Sequence, residues 1–156
     1  MMTRLNETSG ISLAKNSGAP ERTDGWFDVA VLVENELSGT AARRMTELYQ
    51  MKSTPLRYHL VRPLGDSSAR SVGFRQEAER LMQRSVERLE ALQAPVTGDV
   101  SDHEPIGALL DVVASTGSQE IVVVTGRHQL ATLLHRDLAS QIRSLVNLPL
   151  VHLVER

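Results

Sequence analysis

One short run of the sequence matches a known catalytic motif. The letters HRDL at residues 135–138 spell the start of the protein-kinase catalytic loop, in which the Asp is the base and a later Asn binds a metal ion. The Asn position, five residues after Asp137, holds Ile142. No D-F-G sequence follows, and no V-A-I-K lysine or glycine-rich loop precedes it. We therefore interpret the run as part of an amphipathic helix without kinase chemistry.

The histidines and acidic residues do not form a convincing metal-binding pattern. His128 and His135 are seven residues apart and could share a helix face, but no carboxylate completes a set of ligands beside them. The acidic stretch GDVSDHE at residues 98–104 is explained more simply by a loop and a helix cap. The other histidines are spread over separate segments, namely His59, His103 and His152. We predict no metal site.

Other catalytic signatures are also missing from the sequence. The chain has no cysteine, which excludes disulfides, thiolate nucleophiles and Cys-ligated zinc. It contains no G-x-S-x-G nucleophile elbow and no H-x-G-H nucleotidyl-transferase signature. A hydrolase or transferase with unrecognised chemistry stays open as an alternative, but we predict no catalytic residues and no enzyme.

Hydrophobic periodicity indicates five strands. The runs FDVAVLV at 27–33 and QEIVVVT at 119–125 are short, apolar and rich in β-branched residues, as is typical of strands covered on both faces. The segment LRYHLVRP at 56–63 alternates more and predicts a less buried strand, while APVTGDV at 94–100 predicts a brief strand and LVHLV at 150–154 the last strand.

Four helices are predicted between these strands. The first covers residues 41–51 after a cap at Ser38 or Thr40, with an apolar face that includes Leu48 and Met51. The second covers residues 72–93 and has a solvated charged face.

The third and fourth predicted helices follow the acidic stretch and the fourth strand. The third has Asp102 as its cap and Pro105 in its first turn, and it ends at Gly117. The fourth covers residues 132–147 and has an apolar stripe formed by Leu134, Leu138, Ile142 and Leu145.

Strands separated by helices of this length must run parallel, with right-handed crossovers and helices on both faces of the sheet. The predicted fold class is therefore α/β, an open doubly wound sheet in a single domain over residues 26–156. Residues 1–25 are rich in Ser, Thr, Asn and Gly, and they predict a disordered N-terminal tail.

Composition restricts the possible partners. Hydrophobic residues make up 41% of the chain and aromatic residues only 3%, so the core must be aliphatic. The net charge of −2 provides no basic field for nucleic acid or an anionic membrane. No apolar run approaches the roughly 20 residues that span a bilayer. We expect a cytoplasmic protein that binds neither nucleic acid nor membrane.

In open α/β sheets, ligands bind beyond the carboxyl ends of the strands, near the point where the strand order reverses. The loops after the first and fourth strands should flank that point. A helix that starts there presents unpaired N–H groups to an anion. This edge is the expected ligand site.

Three stretches of the chain resemble the universal stress protein family. They are GDVSDHEPIGALLDVV at 98–113, EIVVVTGR at 120–127 and ASQIRSLVNLPLVHLVE at 139–155, and the resemblance extends over residues 27–156. It implies a five-stranded parallel sheet ordered 3-2-1-4-5, and often a homodimer joined along the last strand. Some members bind ATP through a G-x-x-G turn followed, after a spacer, by G-S or G-T.

The sequence departs from that ATP motif. Aligned on the end of the fourth strand, the two glycine positions hold Thr125 and His128. Counted back from Pro149, the later G-S position holds Arg136-Asp137. Aligned on Gly126 instead, the second glycine position holds Gln129 and the later G-S position holds Ala139-Ser140. Glycines let backbone amides approach phosphate oxygens, and bulkier side chains would fill that space.

The loop after the first strand departs from the family as well. Glu34 stands where the family's base-holding Asp is usual, and Asn35 stands in place of its Gly. Arg127 and Arg136 could bind one compact anion through their guanidinium groups, in place of the glycine-rich backbone. The complete set of candidate ligand-binding residues is Glu34, Asn35, Thr125, Gly126, Arg127, His128, Arg136 and Ser140.

These departures from the family's ATP-binding residues determine which function we expect. We expect a homodimeric regulatory binding module that lacks the usual ATP mode, with no cofactor predicted and with a smaller anion or nucleotide as the ligand. The alternatives are a protein-interaction module whose pocket is plugged by His128 and Arg136, with an unknown protein partner, or an ATP- or AMP-binding stress protein with an altered phosphate loop.

Overall fold

The computed structural model describes residues 25–65, 72–126 and 135–155. Its strands are β1 (Phe27–Val33), β2 (Leu56–Pro63), β3 (Val96–Ser101), β4 (Glu120–Gly126) and β5 (Leu150–Glu155). Its helices are α1 (Gly39–Leu48), α2 (Val72–Glu90), α3 (Pro105–Thr116) and α4 (His135–Leu145). The predicted tail, apart from Gly25, lies outside the described residues.

The five strands form one parallel sheet in the order β3-β2-β1-β4-β5. The α/β class predicted from the alternation of strands and helices is confirmed. The strand order implied by the family resemblance is confirmed as well. Since β1 has a neighbour on each side, six of its seven residues are buried, which explains its almost unbroken apolar run.

Helices cover both faces of the sheet. On the first face, α1 and α2 pack against alternate residues of the strands, including Val31, Leu60 and Val122. On the second face, α3 and α4 pack against the intervening residues, including Leu32, Val61 and Val123. The two cores are aliphatic apart from a group of aromatic rings at Phe27, Tyr49 and Tyr58.

The first helix is shorter than predicted. Ser38 is its cap, as one of the two alternatives proposed, because its hydroxyl accepts a hydrogen bond from the amide of Ala41. The helix ends at Leu48, and the chain then turns so that Tyr49 is buried and its phenol donates to Glu120 Oε2 at 2.7 Å. Met51 therefore lies beyond the helix and is 90% exposed, so its predicted place on the apolar face was wrong.

The ends of α3 confirm two predictions and correct a third. Pro105 lies in the first turn, and Gly117 ends the helix in the left-handed conformation with φ 66°. The predicted cap at Asp102 was wrong, because the residue immediately before Pro105 is Glu104, which occupies the cap position without a side-chain hydrogen bond. Asp102 instead pairs with Arg75 of α2.

The fourth helix carries the HRDL run, as the apolar stripe predicted, whereas the kinase motif requires an extended loop. Ile142 is buried and Leu138 packs against the second core. Leu145 is 58% exposed, so its predicted place on the stripe was wrong. Since α4 ends at this residue, Val146 and Leu148 pack against the core in its place. Leu134 lies outside the described residues.

One glycine is required by close packing between α2 and β3. A Cβ atom on Gly98 would lie 2.7 Å from both Met82 Sδ and Val86 Cγ2. The side of β3 that carries Gly98 therefore faces α2. Its neighbours along the strand, Thr97 and Asp99, face the opposite side of the sheet and are exposed.

Candidate functional site

The strand order reverses between β1 and β4, whose carboxyl ends lie side by side. Val33 is paired with Val124 in the parallel register, which places Glu34 level with Thr125. Four of the predicted site residues thus share this edge, namely Glu34, Asn35, Thr125 and Gly126. Glu34 is half-buried and Asn35 is exposed.

At the end of β4, Thr125 is 1% exposed, and its hydroxyl is hydrogen-bonded to His152 Nε2 of β5 at 2.8 Å. His152 is not among the predicted ligand-binding residues, so this contact was missed. A signal was available, because the two residues lie near each other once the last two predicted strands are paired. The pair brings a hydroxyl and an imidazole to the edge that carries Glu34.

The loop between β1 and α1 is held by α2. The amide of Leu37 donates to Ser85 Oγ at 2.9 Å, and Ser85 Oγ in turn donates to the carbonyl of Leu81 at 3.0 Å. Leu37 and Ser85 are both fully buried. A serine at this position of the apolar face of α2 signals a buried partner, although it does not identify that partner. The contact fixes the loop that begins at Glu34.

Ion pairs at the protein surface also join the same loop to α2. Glu36 forms ion pairs with Arg84, at 3.2 Å, and with Arg88. Arg88 also donates to the carbonyl of Leu37 at 2.8 Å. Both arginines belong to the charged face of α2, which the sequence predicts to be solvated, and both are partly exposed. Since they are bound to the loop, part of that charged face has a structural role.

The start of α1 already holds a carboxylate from the chain itself. The amide of Ser38 donates to Glu155 Oε2 at 2.7 Å, and Arg44 donates to the carbonyl of Val154 at 2.9 Å. A carboxylate is favoured at a helix N-terminus because it complements the positive end of the helix dipole. These contacts join the last residues of β5 to α1, so a second anion would meet negative charge at this helix start.

The remaining predicted site residues belong to the segment after β4. Arg127 and His128 lie outside the described residues. Arg136 lies in the first turn of α4, and Ser140 lies further along the same helix, where it is exposed.

Within residues 25–65, 72–126 and 135–155, no group of three or more His, Cys, Asp or Glu side chains is arranged to hold a metal ion. In that same part of the chain, no helix combines the length and apolar character needed to cross a membrane.

Comparison with known proteins identifies structural neighbours only. No protein-family model matches the sequence, and no curated protein matches it. A universal stress protein from Archaeoglobus fulgidus superposes with a TM-score of 0.62 at 15% identity, over 81% of this chain and 92% of that chain. The universal stress protein from the same organism in complex with dAMP gives 0.61 at 15% identity, over 82% and 98%.

A third solved structure, a universal stress protein in complex with cAMP, gives a TM-score of 0.53 at 12% identity, over 83% of this chain and 98% of that chain. At such identities the likeness is one of fold. It agrees with the strand order and with helices on both faces of the sheet. The chain therefore has the fold of the universal stress proteins.

Proposed function

We propose that this chain is a universal-stress-like regulatory module that binds a small anionic ligand, no larger than a nucleoside monophosphate, at the carboxyl ends of β1 and β4. The observation that carries the proposal is the register between these strands, which sets Glu34 level with Thr125 where the strand order reverses. The carboxylate would accept hydrogen bonds from a base or a ribose. An anionic group of the ligand would lie towards Thr125 and His152, whose side chains are hydrogen-bonded to each other at this edge.

The size limit follows from what already occupies this edge. A triphosphate needs several free backbone amides, and the start of α1 is engaged by Glu155. The residues after β4 replace the family's glycines with larger side chains, including His128. The structural neighbours solved with dAMP and with cAMP support a mononucleotide as the ligand to test.

Isothermal titration with AMP and with ATP tests the proposal. We expect AMP to bind at least ~10-fold more tightly than ATP, a difference of about 1.4 kcal/mol. Glu34→Gln keeps the shape of the side chain but removes its charge, so AMP binding should weaken by about 10-fold, as expected for a lost hydrogen bond to a charged group. Glu47→Gln changes an exposed carboxylate of α1 and is the matched control.

Submicromolar binding of ATP, with AMP weaker, would show that the altered loop still holds a triphosphate and would overturn the size limit. Equal loss of AMP binding in Glu34→Gln and Glu47→Gln would show that Glu34 has no specific role.

A second candidate function is a protein-interaction module with a plugged crevice. The observation that favours it is the Glu155 carboxylate, since the chain has supplied its own anion to α1. The plug predicted from the sequence consists of His128 and Arg136. This candidate predicts no heat of binding with AMP, ADP or ATP, whereas the first candidate requires binding of AMP.

We also propose that two copies associate through β5. This edge strand has β4 as its sheet neighbour, and Leu150, Val151 and Val154 along it are only half-buried in one chain. Proteins usually cover an apolar strand edge because its free backbone groups invite pairing. We expect static light scattering to give a dimer mass. A monomer mass that persists at the highest attainable concentration would refute the association.

A further inference from the structure

A second group of polar side chains lies on the other half of the sheet. His59 of β2 is paired in register with Ala30 of β1 and with Thr97 of β3. Asp28 is two residues before Ala30 and therefore faces the same side of the sheet. The three side chains of Asp28, His59 and Thr97 follow one another across three adjacent strands. They lie towards the amino ends, away from the crevice at Glu34.

These side chains form a continuous line of hydrogen bonds. Asp28 Oδ1 lies 2.7 Å from His59 Nε2, and His59 Nδ1 lies 3.0 Å from Thr97 Oγ1. A carboxylate can only accept, so the proton of the imidazole is on Nε2. In the neutral imidazole Nδ1 then has a lone pair, and the Thr97 hydroxyl donates to it. This is the arrangement in which a histidine can take the proton of a hydroxyl.

Burial changes steadily along the line. The side chain of Asp28 is 1% exposed and that of His59 is 13% exposed, whereas Thr97 is exposed to solvent. The helix α3 packs over β1 and β2 on this face, and α2 packs against the opposite side of β3 at Gly98. Thr97 is at the exposed end of this line of hydrogen bonds. The side chain that could react is therefore one that a small molecule can reach.

The carboxylate is fixed from a second direction. Arg57 Nε donates to Asp28 Oδ1 at 2.9 Å, and Arg57 Nη2 donates to Oδ2 at 3.2 Å, which is a two-point contact. The guanidinium also lies 4.8 Å from the centre of the Trp26 ring. These contacts fix the position of the Asp28 carboxylate, so that it can orient His59 and stabilise the imidazolium that forms when His59 accepts a proton.

From this geometry we propose that Thr97 is a nucleophilic hydroxyl that accepts an acyl group from a small activated ester. Thr97 Oγ1 forms a bond to the acyl carbon as its proton passes to His59 Nδ1. The bond between the acyl carbon and the leaving oxygen then breaks, and the proton passes from His59 to that oxygen. The products are an ester on Thr97 and a free alcohol or phenol. Both electrons of the broken bond leave with the oxygen.

The full-length chain treated with p-nitrophenyl acetate provides the test. We expect release of one equivalent of nitrophenol per chain, and peptide mapping by mass spectrometry should locate the acetyl group on Thr97. Thr97→Val should abolish the label at this position, and Thr97→Ser should retain it. His59→Gln should slow the acetylation by at least ~100-fold, as expected when a general base is lost. Thr40→Val removes a different exposed hydroxyl and should change nothing.

Mapping on the unaltered chain decides the question even if a variant fails to fold. Acetylation found only on lysine, histidine or the terminal amine would overturn the proposal, because activated esters also react with free amines and imidazoles. Acetylation of Thr97 at an equal rate in His59→Gln would overturn the assigned role of His59. Neither result depends on nucleotide binding at the crevice.

Discussion

Replacing Arg57 with methionine should lower the free energy of unfolding by about 3 kcal/mol, the low end of the range expected when a buried charge loses its partner. The carboxylate of Asp28 is almost completely buried and is held by two hydrogen bonds from Arg57. Methionine keeps much of the apolar stem but removes the charge and both donors. His59 remains as a partner, which limits the loss. Chemical unfolding at neutral pH measures the change.

A surface pair provides the matched control. Arg80 makes the same two-point contact with Glu77 on α2, at 3.0 and 2.6 Å, but both side chains are exposed. Solvent screens this pair, so Arg80→Met should have a much smaller effect than Arg57→Met. Equal losses in the two variants would mean that burial of Asp28 does not control the strength of its ion pair.

Stability should also fall steeply between about pH 10 and about pH 12. Burial raises the pKa of the Tyr58 phenol to about 12, whereas in the unfolded chain it loses its proton near pH 10.0. The unfolded state therefore binds fewer protons in this window, and rising pH favours unfolding. The loss from Tyr58 should reach about 2–3 kcal/mol at the upper end of the window. Chemical unfolding at a series of pH values gives the slope.

Tyr49 contributes in the same direction. Burial first, and then its hydrogen bond to Glu120, raise the pKa of this phenol well above its usual range. Tyr58→Phe removes one of the only two tyrosines and should therefore reduce the slope without removing it. A slope in Tyr58→Phe as steep as in the unaltered chain would show that the buried phenol of Tyr58 is not responsible.

Much of the fold could be predicted because it depends on local patterns. The run at residues 27–33 contains five apolar residues in succession, and β1 has those same bounds. Pro105 and Gly117 mark the two ends of α3 through backbone geometry that each residue favours. The order of the strands is not a local property, and it was implied only by the family resemblance.

The contacts that decide the sites join residues far apart in sequence. Asp28 is 31 residues from His59, and His59 is 38 residues from Thr97, so only the strand register brings them together. Glu155 meets Ser38 across 117 residues. A polar residue inside an apolar pattern, such as Asp28, signals that a partner exists. The identity of that partner depends on pairing that a single sequence does not contain.

The same reasoning explains the errors at helix ends. Met51 and Leu145 fit their helical periods, but each lies at or beyond the point where its helix stops. Residues beyond the end of the helix then pack against the core instead, as Val146 does after α4. An apolar period therefore predicts which face is buried better than it predicts where the helix finishes.

Crystals grown with equimolar AMP and ATP test the central claim most directly. That claim is that the edge between Glu34 and Thr125 accepts a small anionic ligand and excludes a triphosphate. We predict density for a single mononucleotide between these two residues, with its phosphate on the side of Thr125 and His152. Density for ATP at this edge, with all three phosphates ordered along the chain that follows β4, would contradict it.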